Sequence, residues 1–336
     1  MATMTPAAAP SRPASRSWRL PDGRWTQFVL RRTGRLLVSL WVLVTASFLM
    51  IHLVPGDPVR AALGLTAPAE LVAAKREALG LNDPLLAQYL HYLGDLLHGD
   101  LGESIVSQLP VSETISQRLP ATASLALLAF VVAVAVAIPL GVAVAVATRR
   151  GRRRRTELAF ASTSVVLGAV PDFLLGVALV CIFAVNLGWF PVAGREGPSS
   201  YVLPVLALAI GPAAVLSRIV RVEMLAVLDT DYVRTARAKR LPATRIHLRH
   251  ALPNAVTATL TLGGMLLATM VAGTVLVENV FAWPGLGSTI VASIVARDYP
   301  VVQGTVLVYG VIVLVVNTLV DVALALLDPR STIGDL

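Results

Sequence analysis

Leu119–Thr148 reads LPATASLALLAFVVAVAVAIPLGVAVAVAT, 30 residues without one Asp, Glu, Lys or Arg. About 20 consecutive apolar residues cross a bilayer core as a helix, so this run is long enough to span. Pro120 stands at the start of the run, where a helix tolerates proline because the missing N–H has no intrahelical partner. Pro139 is interior and predicts a kink. Working outward, five further runs qualify: Leu36–Val54, Glu157–Leu187, Tyr201–Leu225, Ala255–Phe281 and Val301–Leu327. Glu157–Leu187 is interrupted at Val170-Pro171-Asp172, and Tyr201–Leu225 holds Gly211-Pro212. The whole chain is 56% hydrophobic and 14% charged with mean hydropathy +0.74, whereas a soluble domain carries roughly 25% charged residues. In lipid every backbone polar group must be paired within its own segment. The expected fold is therefore an all-α membrane protein of six transmembrane helices.

Orientation follows from the basic residues. Of the 28 Lys and Arg, 22 lie in the N-terminal stretch to Arg35, the Arg149–Arg155 loop, the Arg218–Arg249 stretch and the C-terminal tail. The positive-inside rule places these, and so both termini, in the cytoplasm. Blocks of charge between apolar runs, with few aromatics, read as orientation signals and not as a nucleic-acid surface. Residues 1–30 are rich in Pro, Ala, Ser and Arg and are expected to form a disordered cytoplasmic tail; a cleaved leader is not expected, because the apolar core begins only after Arg35. Residues 31–336 then form the transmembrane domain. Within it, residues 56–118 are too long for a simple connection. Their helix-like patches ELVAAKREALGL and LLAQYLHYLGDLLHGDLG predict an extracytoplasmic cap, or else helices lying on the membrane surface. Phe281–Pro300, with Trp283-Pro284-Gly285 and Gly287, reads as a re-entrant or interfacial piece.

Catalytic signatures are missing. HExxH, CxxC and GxSxG do not occur, the five histidines show no metal spacing, and Cys181 is alone. A phosphate-binding loop needs Gly-Lys-Ser/Thr, but the two lysines, Lys75 and Lys239, each follow alanine. No cofactor is expected in this chain; if ATP drives it, another polypeptide binds the ATP and Mg. Asp172, Glu278, Asn317 and Asp321 fall within apolar runs, where a charge costs at least ~2.5–3.5 kcal/mol. They read either as an ion or proton relay, as in a secondary transporter, or as interhelical hydrogen bonds near the interfaces. Gly263, Gly264, Ala268, Ala272 and Gly273 give the fifth run a small-residue face, which suits close helix packing and could also line a passage.

Residues 228–255 interrupt the apolar pattern with a basic segment, whose part 229–255 reads DTDYVRTARAKRLPATRIHLRHALPNA. Asp229, Thr230 and Asp231 are candidate N-caps, and a short helix is expected from Asp231 to Lys239, stopped by Pro242. Tyr232, Val233, Ala236 and Arg240 are expected on one face. A loop that only meets acidic lipid headgroups needs neither caps nor an apolar face, so docking into a protein groove is the favoured reading.

This segment resembles the cytoplasmic loop of binding-protein-dependent ABC importer permeases. Their pattern of Glu-Ala-Ala, three residues, Gly, nine residues, Ile, one residue and Leu-Pro falls here on Arg234-Thr235-Ala236, Arg240, His250 and Leu252-Pro253. The peptide and nickel branch is closer: DYVRTARAK at 231–239, LRHALPNA at 248–255, HLVPGDP at 52–58, LGLNDPLLAQYL at 79–90, GDLGES at 99–104, FAWPGLG at 281–287, ARDYPVVQG at 296–304 and LDPR at 327–330 all look like it. The resemblance implies the type I ABC importer transmembrane fold in a bacterial inner membrane. It further implies a second homologous permease, two ABC ATPase subunits and an extracytoplasmic substrate-binding protein as partners, besides membrane lipid. ATPase coupling would fall on Asp231, Tyr232, Arg234, Thr235, Ala236, Arg237, Lys239, Arg240, Leu241 and Pro242, with Leu252 and Pro253 closing the loop. An outer gate or docking role would fall on Trp283, Pro284, Gly285, Asp298 and Tyr299. Peptide is favoured over nickel as substrate, since the spans hold no cluster of His, Cys or Met. The departure is Arg240, where the branch usually has glycine: either the turn is built differently, or Arg240 makes a compensating contact with an acidic ATPase surface.

Overall fold

The computed structural model describes residues 24–53, 58–64, 66–78 and 80–327. It is helical throughout: α1 (Arg24–Leu53), α2 (Pro58–Leu63), α3 (Ala69–Ala78), α4 (Leu85–Leu97), α5 (Val111–Thr148), α6 (Arg154–Ala169), α7 (Asp172–Leu179), α8 (Val202–Leu228), α9 (Asp231–Ala238), α10 (Ala243–Arg245), α11 (Leu252–Val280), α12 (Leu286–Ala296) and α13 (Tyr299–Leu327). Among the described residues five helices are long and apolar enough to cross a membrane, and there are six when a bent pair, α6 with α7 and its π-helical extension to Asn186, is counted as one broken span. The pair is bent by 99°. Its cause is local: Pro171 has no N–H to continue α6, and it forces Val170 into an extended conformation at φ −75°, ψ 126°.

Two boundaries differ from expectation. Residues 24–30 belong to α1 and not to a disordered tail; residues 1–23 lie outside the described residues. The cap segment was expected to run to Arg118, yet α5 begins at Val111, preceded by Pro110. Pro120 thus lies inside the helix, which runs unbroken through both Pro120 and Pro139. Periodicity could not show this, because Ser112, Glu113, Ser116, Gln117 and Arg118 make the first two turns polar while the helix still buries Val111 and Ile115.

α5 and α8 form the central pair, with α11 beside them and α13 outside. Close approach is set by small residues. A Cβ on Gly141 of α5 would lie 2.6 Å from the Ser217 carbonyl oxygen of α8, and one on Gly264 of α11 would run into Val320 of α13. Gly263 likewise faces Leu216, so these members of the small-residue face serve helix packing. Leu37, Val38 and Trp41 of α1 and Leu127, Leu128 and Val131 of α5 stay exposed, as suits a lipid or subunit boundary.

The two membrane faces are marked by contacts between elements. On the basic side Arg149 donates to the Leu228 carbonyl (2.8 Å) and to Asp229 (2.7 Å), while Arg221 holds Glu157 at 2.6 Å and Thr148 at 3.2 Å. These contacts gather the cytoplasmic ends of α5, α6 and α8. Arg32 pairs with Asp321 there, tying α1 to α13. On the outer side α4 docks on α1 through Tyr89 to Thr45 (2.8 Å) and Gln88 to His52 (3.0 Å), while Leu86, Leu90 and Leu97 remain exposed. The segment is both packed on the bundle and apolar on its free side.

Candidate functional site

The cytoplasmic segment is ordered by burial of one narrow apolar stripe. Val233 and Ala236 of α9, three residues apart and hence on one face, pack into a cluster with Ala145, Met224, Leu228, Ile246, Ala251 and Ala255. Leu241 closes the cluster's edge. The expected face was wider. Tyr232 is 45% exposed and Arg240 is exposed too, since Tyr232 lies about 100° round the helix from Val233 and Arg240 follows the last helical turn. The outward surface carries Asp231, Tyr232, Arg234, Thr235, Lys239 and Arg240, whereas Arg237 is half-buried and reaches the Leu228 carbonyl at 3.4 Å.

None of the three candidate caps acts through its side chain. Thr230 occupies the N-cap position but donates to the Val227 carbonyl at 2.6 Å. Asp231 accepts from Arg234 at 3.0 Å, and Asp229 is engaged by Arg149, whose hydrogen bond holds the Asp229 carboxyl below its ordinary range. The anchoring is thus to the α5 terminus. His247 sits in the π-helical segment Ile246–Ala251. Burial, then the guanidinium groups of Arg237 and Arg149, push its imidazole below its ordinary value, which keeps it neutral at physiological pH. The wide turn of that segment falls where Pro253 cannot donate to the helix, and Leu252 opens α11 directly after it.

Arg240 has φ +57°. The Arg240 N–H bonds the Arg237 carbonyl at 2.8 Å and the Leu241 N–H bonds the Ala236 carbonyl at 3.3 Å, the double bond pattern of a helix ended by a left-handed residue. The turn is therefore the one a glycine would make, which removes the alternative of a different turn. Pro242 then carries the chain extended into α10. Glycine is freed of the ~1 kcal/mol cost of this conformation, so Arg240→Gly is expected to raise thermal stability by about that amount, measured by unfolding of the detergent-solubilised chain.

The intramembrane polar residues separate. Glu278 is fully buried, accepts from Thr122 Oγ1 at 2.6 Å and from the Ser288 N–H at 3.0 Å, and so caps α12 from a neighbouring helix. The Leu286 N–H in turn donates to Thr122 Oγ1 at 2.8 Å. Gly285 and Gly287 pack directly on the Glu278 carboxylate. Asp321 has its partner in Arg32, which also reaches the Asn317 carbonyl at 3.4 Å. Asp172, at the break between α6 and α7, has no hydrogen-bond or ion partner among the described residues. Glu278 and Asp321 thus make interhelical structure, and the four do not converge.

At the outer face Trp283 is wholly buried, donates to the Ala121 carbonyl at 3.1 Å and meets Tyr201 edge-on at 4.5 Å. Pro284 and Gly285 form the turn behind it, with the Gly285 N–H on Ser288 Oγ at 3.2 Å. Asp298, 4% exposed, accepts from Ser104 Oγ and, at 3.0 Å, from the Ile105 N–H. This clasp holds the end of the cap to the start of α13, and Tyr299 beside it lines a cavity of about 180 Å³ between α1 and α4. Asp298→Ala leaves two buried donors without an acceptor, at about 1–3 kcal/mol each. Proteolysis of residues 100–110 in the intact chain is expected to accelerate at least tenfold, and an unchanged rate would show the clasp to be idle. Sequence reading missed Thr122, Ser104 and Arg32; isolated hydroxyls carry no signal, though Arg32 lies in the same basic block that set the orientation.

Comparison with known proteins gives a consistent result. The family described as binding-protein-dependent transport system inner membrane component matches residues 137–333, and the N-terminal part of such membrane components matches residues 25–126. The glutathione transport system permease protein GsiC of Salmonella typhi is 39% identical over 302 residues, covering 90% of this chain and 97% of that protein. A putative peptide transport system permease protein of Brucella suis biovar 1 is 38% identical over 313 residues, covering 91% and 98%. An inward-facing conformation of the MetNI methionine ABC transporter superposes with TM-score 0.55 at 17% identity, over 65% of this chain and 97% of that one, a likeness of fold.

Proposed function

Since this chain belongs to the family of inner-membrane components of binding-protein-dependent transport systems, we propose that it forms half of a translocation path for di- or oligopeptides, paired with a second homologous permease and driven by two ATPase subunits. An extracytoplasmic binding protein delivers the substrate to its outer face. The named relatives support the peptide class. The chain itself performs no chemistry: force enters through α9.

The observation that carries this reading is the build of residues 229–255. A helix of eight residues is too short to stand alone in water. Here it is fixed by Val233 and Ala236 in the cluster beneath α5, α8 and α11, and by Arg149 at its start. A push on its exposed side is passed to three spans at once. Arg240, held outward at the end of α9, meets an acidic surface of the ATPase. Arg240→Gly removes only the contact and the backbone cost, whereas Arg240→Glu sets like charges against each other. Binding-protein-stimulated ATP hydrolysis of the full complex is expected to fall severalfold in the glycine variant and at least tenfold in the glutamate variant. Equal activity of the glutamate variant and the wild type would remove the contact.

A further inference from the structure

Asp172 is a carboxylate at membrane depth that opens α7 and has neither an ion pair nor a hydrogen bond among the described residues. It lies at the break in the third span, against Gly211 of α8 and Gly273 of α11: ideal Cβ atoms on these glycines would lie 3.4 Å from its Oδ1 and 3.1 Å from its Oδ2. Gly211 is nine residues from the outer start of α8 and Gly273 seven from the outer end of α11. At about 1.5 Å per residue this places the carboxylate ~10–14 Å below the outer ends, well inside a core ~30 Å thick. A second acceptor faces the same glycine. The Leu167 carbonyl oxygen is 3.7 Å from the Gly211 Cβ position, and its donor in a continuing helix would be the residue four further on, Pro171, which has no N–H. The carbonyl end of α6 carries the negative pole of that helix as well.

A carboxylate and a freed carbonyl at a helix break, partly accessible and between two glycines, make a site for a small cation. We infer that Asp172 and the Leu167 carbonyl receive the α-ammonium group of the peptide as it passes the middle of the membrane. This rests on the peptide reading above. The recognition is compatible with any side chains, since every unblocked peptide has that group. An alkali cation has the same chemistry and is the other possible source of charge.

The test uses the whole complex with its ATPases and binding protein in proteoliposomes, supplied with a radiolabelled tripeptide or its N-acetylated form, each at a concentration that saturates the binding protein, with and without sodium. Asp172→Asn is expected to lower uptake of the free peptide at least tenfold, the worth of one charge-assisted hydrogen bond, and to leave uptake of the acetylated peptide unchanged. Asp172→Glu should restore part of the loss. Equal loss for both peptides, no loss for either, or a sodium requirement that vanishes in Asp172→Asn overturns the assignment, the last in favour of a sodium site. If neither variant assembles with its partners, Asp172 is structural and the assignment fails. Failure of the peptide reading looks different: the wild-type complex then takes up neither peptide.

Discussion

Glu278→Ala is expected to cost about 3–5 kcal/mol of stability. The Glu278 carboxylate accepts from the Thr122 hydroxyl and the Ser288 N–H, and it fills the space beside Gly285 and Gly287. Alanine leaves both donors buried and unpaired, at about 1–3 kcal/mol each, and leaves a cavity where the carboxylate was. Glu278→Gln retains one oxygen but turns an amide N–H₂ toward a donor, so it should lose roughly half as much. The sequence around it follows from this contact. A Cβ at Gly287 would come within 2.5 Å of the Val275 Cα, so Gly287→Ala should disturb the same junction. Thermal unfolding of the detergent-solubilised chain, followed by tryptophan fluorescence, is the measurement. A Glu278→Ala protein as stable as the wild type would show that α12 is held by packing alone.

The second large effect belongs to the cytoplasmic side. Val233→Asp places a carboxylate in a cluster whose members Val233, Met224, Leu228 and Ala255 are all fully buried. Arg149 and Arg237 already hold the Leu228 carbonyl at the cluster's edge, so a carboxylate buried among these apolar side chains costs several kcal/mol and α9 leaves its seat. The spans do not depend on α9, so the complex should still insert. Uptake and the stimulation of ATP hydrolysis by the binding protein are both expected to fall at least tenfold, while basal hydrolysis by the ATPases persists. Arg234→Ala is the control: Arg234 is exposed and its partner Asp231 is 93% exposed, so its loss should change stability by less than ~0.5 kcal/mol. Full coupling in Val233→Asp would mean that α9 transmits nothing.

Much of this architecture was legible in the chain because the bilayer permits so few solutions. Apolar length gave the spans, the basic blocks gave their direction, and Pro171 gave the break. The start of α5 was hidden, since polarity at residues 112–118 reflects water at the outer face and not the end of a helix. The short α9 was legible through Pro242, but its capping was not. Side-chain oxygens at Asp229, Thr230 and Asp231 had competing partners, Arg149, the Val227 carbonyl and Arg234, and only the folded arrangement decides among them. The polar residues in the spans divided for the same reason. Glu278 and Asp321 find partners more than 150 residues away in sequence, at Thr122 and Arg32, which local reading cannot supply. Arg240 shows the reverse case, a departure visible in the sequence whose backbone is unchanged from what glycine would adopt.

The proposed coupling requires a chain with no energy source of its own, drawing on a partner's ATP cycle through residues 229–255. Peptide uptake into proteoliposomes should be measured for the full complex with and without ATP, and for this chain alone under sodium and proton gradients. Accumulation only by the complex, only with ATP, and its loss in Val233→Asp is the predicted result. Accumulation by the chain alone, driven by an ion gradient, would contradict it.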